Sequence, residues 1–148
     1  MKKASLVFGA LLLCAAGVSA QAPAHRTVSS AYRPVANDLQ MMEAFIIPAS
    51  NAIFDVGANA PKSDKEWTAV RNNALILAEA GNLLHLRQRA GDNGDWKKFS
   101  ALLTEAGRAA VKAVDTKDAE KLSGDVSDQL LNSCETCHAK YLKKTSSK

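Results

Sequence analysis

A chain of 148 residues with 19 Lys and Arg against 15 Asp and Glu is one domain by length and close to charge balance, at a formal +4. That balance argues against a nucleic-acid partner, which would call for a strongly basic surface. Three cysteines are too few for a disulfide scaffold, and 47% hydrophobic residues suffice for a core.

Lys2 and Lys3 precede an apolar run from Ala4 to Val18, which ends in Val18-Ser19-Ala20. This reads as a secretory signal peptide over residues 1–20. The run is shorter than the roughly twenty apolar residues of a membrane span, and no later stretch comes close, so no transmembrane segment is expected in the mature chain. Cys14 invites lipoprotein processing, but the bulky Leu13 before it argues otherwise, and Cys14 is expected to leave with the signal. Of the 148 residues 128 then remain, and losing Lys2 and Lys3 leaves 17 basic against 15 acidic side chains, a formal +2.

Residues 21–33 show no hydrophobic period and contain Pro23 and paired serines, which predicts a flexible arm with His25 in solvent. The domain proper is expected over residues 34–148 and is all-α, because apolar residues recur at three and four and nothing alternates like a strand. A first helix carries Val35, Leu39, Met42, Ile46, Ile53 and Val56 and stops at Gly57; Pro48 within it predicts a kink or two helices meeting there. A second starts at the capping box Ser63-Asp-Lys-Glu66, with the stripe Trp67, Val70, Ala74, Leu77, Gly81 and Leu84. Turn chemistry at Gly91-Asp-Asn-Gly94 leads into a third, with Trp96, Phe99, Leu103, Ala106, Ala110 and Ala113 on one side. Asp115-Thr116 is expected to break and recap the chain. A fourth helix then carries Leu122, Val126, Leu130, Cys134 and Cys137 and ends near Lys143, with Gly124 a weak point. Four helices with short connections predict an antiparallel four-helix bundle. Ala74, Gly81, Ala106 and Ala110 would serve close helix packing, or else leave room for a flat group.

Cys134-Glu-Thr-Cys-His138 on the fourth helix is a C-x-x-C-H pentad, the attachment pattern of a c-type haem. Two thiols three apart can add across the two vinyl groups on one porphyrin edge, and the next residue offers an imidazole to the iron. On a helix, residues three and four apart share a face, so Cys134, Cys137 and His138 look the same way. Rival readings fit less well. A thioredoxin-like pair wants a βαβ setting. A closed zinc site wants four ligands, with His25 and His85 far off in sequence. A plain Cys134–Cys137 disulfide leaves the histidine unexplained. No general acid, nucleophile or phosphate loop points to an enzyme.

A signal peptide, four helices and a single C-terminal Cys134-Glu-Thr-Cys-His138 followed by Tyr141 resemble the class II cytochromes c, the cytochrome c′ group. Class I members carry the pentad near the N-terminus and fit poorly. The resemblance covers residues 34–148 and implies a bundle of the cytochrome c′ type in the periplasm. It implies one covalent haem c per chain, with Cys134 and Cys137 as thioether sites and His138 as proximal iron ligand. It also implies redox protein partners and, in many members, a homodimer through the first two helices, a surface that Pro48 could alter.

The family divides on its distal side. Some members keep a five-coordinate iron under an apolar residue and bind gases such as NO or CO; others place a Met there and carry single electrons. With the signal removed, the methionines are Met41 and Met42 in the first helix, about 100° apart, so one at most can face the iron. Met42 shares its stripe with Leu39 and Ile46 and is the expected distal ligand; its rival role is a pliable core filler. Leu142 stands where many members have a basic residue four positions after the ligand histidine, which weakens carry-over of gas chemistry. His85 is a lesser candidate for the sixth position. Trp67 and Trp96 are expected as packing or pocket walls, and Tyr141 to pack on the haem or in the core. Lys140, Lys143, Lys144 and Lys148 would form a docking face for an acidic partner or favourable charge at a helix end. The expected function is one-electron transfer, the alternatives a gas-binding haem protein or a haem subunit of a larger redox complex.

Overall fold

The structure, a computed structural model, describes residues 32–87 and 94–142. The signal peptide, nearly all of the expected arm with His25, and Lys143, Lys144 and Lys148 lie outside these residues. The described residues form four helices and no strand, as the three-four spacing predicts.

Helix α1 covers residues 38–54 in three stretches, Asp38–Met41, a π-helical turn Met42–Ile46, and Ile47–Phe54, and closes in a 3-10 turn Asp55–Gly57. Its start is an unforeseen capping box: Asn37 Oδ1 accepts the Gln40 N–H at 2.8 Å, and Gln40 Oε1 accepts the Asn37 N–H at 2.9 Å. Val35 therefore precedes the helix, wholly exposed, and Leu39 is 64% exposed, so neither belongs to the buried stripe expected of them. Pro48 neither splits nor ends the helix. It sits in the first turn of Ile47–Phe54, where a missing N–H is tolerated, and the turn before it widens so that Ile47 N–H reaches back to Met42 O.

Helix α2, Asp64–Leu86, begins at the predicted box: Glu66 Oε2 accepts the N–H groups of Lys62 and Ser63, and Ser63 Oγ accepts that of Glu66. Helix α3, Asp95–Asp115, starts from Gly94 at φ +95°, a left-handed conformation that glycine adopts without a side-chain clash. It ends at Asp115, at the expected break. Lys117 takes φ 53° while its N–H bonds Val114 O and the Asp118 N–H bonds Ala113 O, which satisfies two terminal carbonyls in a Schellman arrangement. Asp118, not Asp115-Thr116, then caps helix α4 by accepting the Lys121 N–H. Helix α4 covers residues 119–141 as Ala119–Lys121, a π-helical turn Leu122–Val126, and Ser127–Tyr141; the backbone leaves helical values at Gly124, the foreseen weak point.

Side chains at the helix ends record the antiparallel order. Arg87 after α2 pairs with Asp38 at the start of α1, Arg71 and Lys117 pair with Asp115 and Asp64 where α2 begins and α3 ends, and Lys140 pairs with Asp95 where α4 ends and α3 begins. Between these poles Ile53, Leu77, Leu122, Val126 and Leu130 are fully buried. The α2–α3 seam is tight. A Cβ placed at Gly81 would lie 2.4 Å from Thr104 Oγ1, and one at Gly107 would lie 2.4 Å from Ala78 N, so each helix meets the other's backbone through a glycine. Ala74, Ala106 and Ala110 are buried in the core and Gly81 in this seam, so the small residues serve packing rather than a cofactor. No helix among the described residues is long and apolar enough to cross a membrane.

Candidate haem site

Beside that seam the packing opens. A cavity of about 220 Å³ lies among the four helices. From α4 it is lined by Leu131, Ser133, Cys134, Cys137 and His138, so all three chemically distinctive residues of the pentad reach one space. They do so because Ser127–Tyr141 is regular helix, where steps of three and four hold one face. Helix α1 contributes Met42, Ile46, Ile47, Ser50, Asn51 and Phe54, with steps of four, three and one that trace a single stripe. Leu84 of α2 and Trp96, Phe99, Ser100 and Leu103 of α3 complete the wall.

The register of α1 against α4 brings Met42 and His138 to one cavity. Gly57 meets Ser123, with a Cβ at Gly57 falling 3.3 Å from Ser123 Cβ. Met42 lies fifteen residues before Gly57, His138 lies fifteen residues after Ser123, and each interval contains one π-helical turn. Both side chains line the same cavity. Met41, by contrast, is 3% exposed in the core and does not line the cavity.

The lining is apolar apart from a few polar atoms, and a porphyrin face would suit it. Ile47, Phe54 and Leu131 stay 50%, 38% and 48% exposed at the mouth, surface that a flat apolar group would cover at roughly 25 cal/mol per Å². Trp96 is held in the wall by its Nε1–H, which donates to Leu84 O at 2.7 Å. The polar atoms are mostly spent on their own helices: Ser100 Oγ donates to Trp96 O and Ser133 Oγ to Leu130 O. Ser50 Oγ is buried with no hydrogen-bond partner.

Burial pushes the Cys134 thiol above its ordinary pKa, reinforced by the neighbouring Glu135 charge and only partly offset by a hydrogen bond with Ser133. A thioredoxin-like pair needs the opposite, a thiolate favoured at neutral pH. A protonated thiol facing an apolar slot instead suits addition to a vinyl group. Two thiols, an imidazole and an apolar slot thus fit a covalently held haem, with Cys134 and Cys137 to anchor it and His138 to ligate the iron.

The remaining candidates fall outside the cavity. His85 is exposed and faces Lys97 O at 3.3 Å. Trp67 packs part-buried against the core. Tyr141 does not line the space; its ring stands edge-on to Trp96 at 5.2 Å and Phe99 at 6.0 Å, supporting two residues that do. Lys140, the one described member of the C-terminal lysine group, is engaged with Asp95 and lies 5.6 Å over the Tyr141 ring. Ser50, Asn51, Ile47, Leu131 and Ser133 were not foreseen as site residues, although the spacing of Ile46, Ile47, Ser50, Asn51 and Phe54 carries the helical signature. Compared with protein-family models, curated proteins and solved structures, the chain gives no match.

Proposed function

We propose that this chain is a periplasmic monohaem c-type cytochrome, similar to the class II group, that carries single electrons. Cys134 and Cys137 hold the group through thioethers, His138 ligates the iron from α4, and Met42 ligates it from α1. The observation that carries the reading is that Met42, Cys134, Cys137 and His138 line one apolar cavity. The bound haem would supply the one-electron couple. Met42 and His138 as ligands, with a wall of Trp96, Phe99 and Leu103 that excludes water, would favour the reduced state. Ile47, Phe54 and Leu131 mark the open edge where an electron would enter or leave. The partner is a redox protein that meets this edge.

Ile46 favours a second reading. It is 4% exposed, lines the cavity one turn from Met42, and would roof an open iron position if Met42 turned aside. The chain would then bind a small gas rather than pass electrons. Optical spectra of the matured protein, oxidised and reduced, with and without carbon monoxide, separate the two. A low-spin spectrum indifferent to the gas is expected, and Met42→Ala should convert it to a high-spin, gas-responsive one. A high-spin wild-type spectrum that shifts with carbon monoxide would remove Met42 from the iron. Intact mass of the exported protein tests the haem itself.

A further inference from the structure

Ser50 departs from every other buried serine among the described residues. Ser100 and Ser133 return their hydroxyls to helix carbonyls at 2.7 Å, as Ser and Thr inside helices commonly do, whereas Ser50, 6% exposed, has no partner for its Oγ. An unmet hydroxyl in an apolar wall costs about 1–3 kcal/mol, which makes it a place where a missing partner belongs. Ser50 lines the cavity, and so does Asn51, the next residue, which is exposed. Two neutral groups able to donate hydrogen bonds therefore stand side by side on α1, one buried and one exposed. No Asp or Glu lines the cavity to repel an anion, and no Lys or Arg lines it to attract one.

Haem brings its own acceptors. The two vinyl groups that would join Cys134 and Cys137 occupy one side of the macrocycle, and two propionate carboxylates project from the other, so the thioethers dictate that some other part of the wall receives them. We propose that the Ser50 hydroxyl, assisted by Asn51, is the hydrogen-bond donor to a haem propionate, an inference that rests on the haem reading above. Ser50 is thus a positioning residue: it orients the macrocycle in the slot and disperses carboxylate charge near the iron, with no part in ligating the metal. A hydrogen bond to a charged acceptor is about twice as strong as a neutral one, so the bond both meets the lone hydroxyl and stabilises a partly desolvated carboxylate.

The test uses matured, haem-loaded protein, its covalent haem first verified by intact mass. Resonance Raman spectra of wild type, Ser50→Ala and Ser50→Thr report the propionate bending band, and spectroelectrochemistry reports the midpoint potential. Ser50→Ala should shift the band and lower the potential, because an undispersed negative charge favours ferric iron, while Ser50→Thr, which keeps the hydroxyl, should retain both wild-type values. An unchanged band and potential in Ser50→Ala would overturn the proposal, with the hydroxyl then serving a buried water or its own helix. Equal shifts in Ala and Thr would overturn it too, by tracing the effect to packing. Absence of haem in the mass spectrum would defeat the underlying reading instead, so the two failures are distinguishable.

Discussion

The two sides of this molecule solve opposite packing problems. Along α2 and α3 the helices are regular, glycines replace side chains at Gly81 and Gly107, and the backbones come as close as atoms permit. Along α1 and α4 both helices carry a π-helical turn, touch little at the level of the pentad, and leave large apolar side chains at a half-open mouth. The first arrangement needs nothing more to be complete. The second leaves apolar side chains exposed beside a cavity, and widened turns of this kind are common at functional sites. The rigid pair thus serves as the frame, and the loose pair as the jaws.

On the haem reading, removing the two attachment thiols should hurt only one side. Cys134→Ser combined with Cys137→Ser should abolish covalent haem completely, seen as loss of the haem mass increment, while hydrogen exchange stays slow in α2 and α3 and quickens in α1 and α4. Equal loss of protection in all four helices would mean that the seam is no independent frame.

The seam should be broken by the smallest possible addition. In Gly107→Ala the new methyl meets backbone atoms of Ala78, which cannot rotate away, so a loss of about 1–3 kcal/mol in urea unfolding is expected. Tolerance of this change would show that the close approach relaxes freely.

Trp96 joins the two sides. In Trp96→Phe the donor to Leu84 O disappears, but that carbonyl still accepts the Arg87 N–H, so only about 0.5–1.5 kcal/mol should be lost. The haem absorption bands should also move, since Trp96 lines the cavity; a shift in neither property would detach it from both regions.

The gentlest probe addresses the start of the frame. Backbone N–H groups of Lys62 and Ser63, together with the Ser63 hydroxyl, hold the Glu66 carboxyl below its usual value. The folded state therefore prefers the ionised form, so its contribution is present above the ordinary glutamate pKa and is lost as pH falls through the lower folded value. Glu66→Gln should reduce thermal stability slightly at pH 7 and flatten this part of the acid dependence; the same acid slope in both proteins would remove Glu66 from the capping account.

How much of this could be read from residues alone follows from the range of the forces involved. The capping box at Ser63 and the shared face of Cys134, Cys137 and His138 are local patterns, and both were legible because their partners lie within a turn or so of each other. The three-four stripes of α2 and α3 were legible for the same reason. Val35 and Leu39 misled because an apolar residue near a helix start satisfies the period without being buried; Asn37 and Gln40, three apart, held the correct boundary. Gly107 gave no warning, since a glycine inside a helix reads only as a poor helix former until its neighbour across the seam is known. Ser50 was illegible for a related reason, as its distinction is a bond it does not make.

The π-helical turn at Met42–Ile46 has one more consequence, concerning angular phase. Because Ile47 N–H reaches back five residues to Met42 O, the turn absorbs one residue that a regular helix would have to rotate past. At about 100° per residue, an unwidened helix built back from Ile47 would bring Glu43 to the angular position that Met42 holds and carry Met42 to that of Met41. A carboxylate, rather than a thioether, would then take Met42's place in the cavity wall, so the identity of the side chain offered from α1 is decided by a single loosened backbone turn.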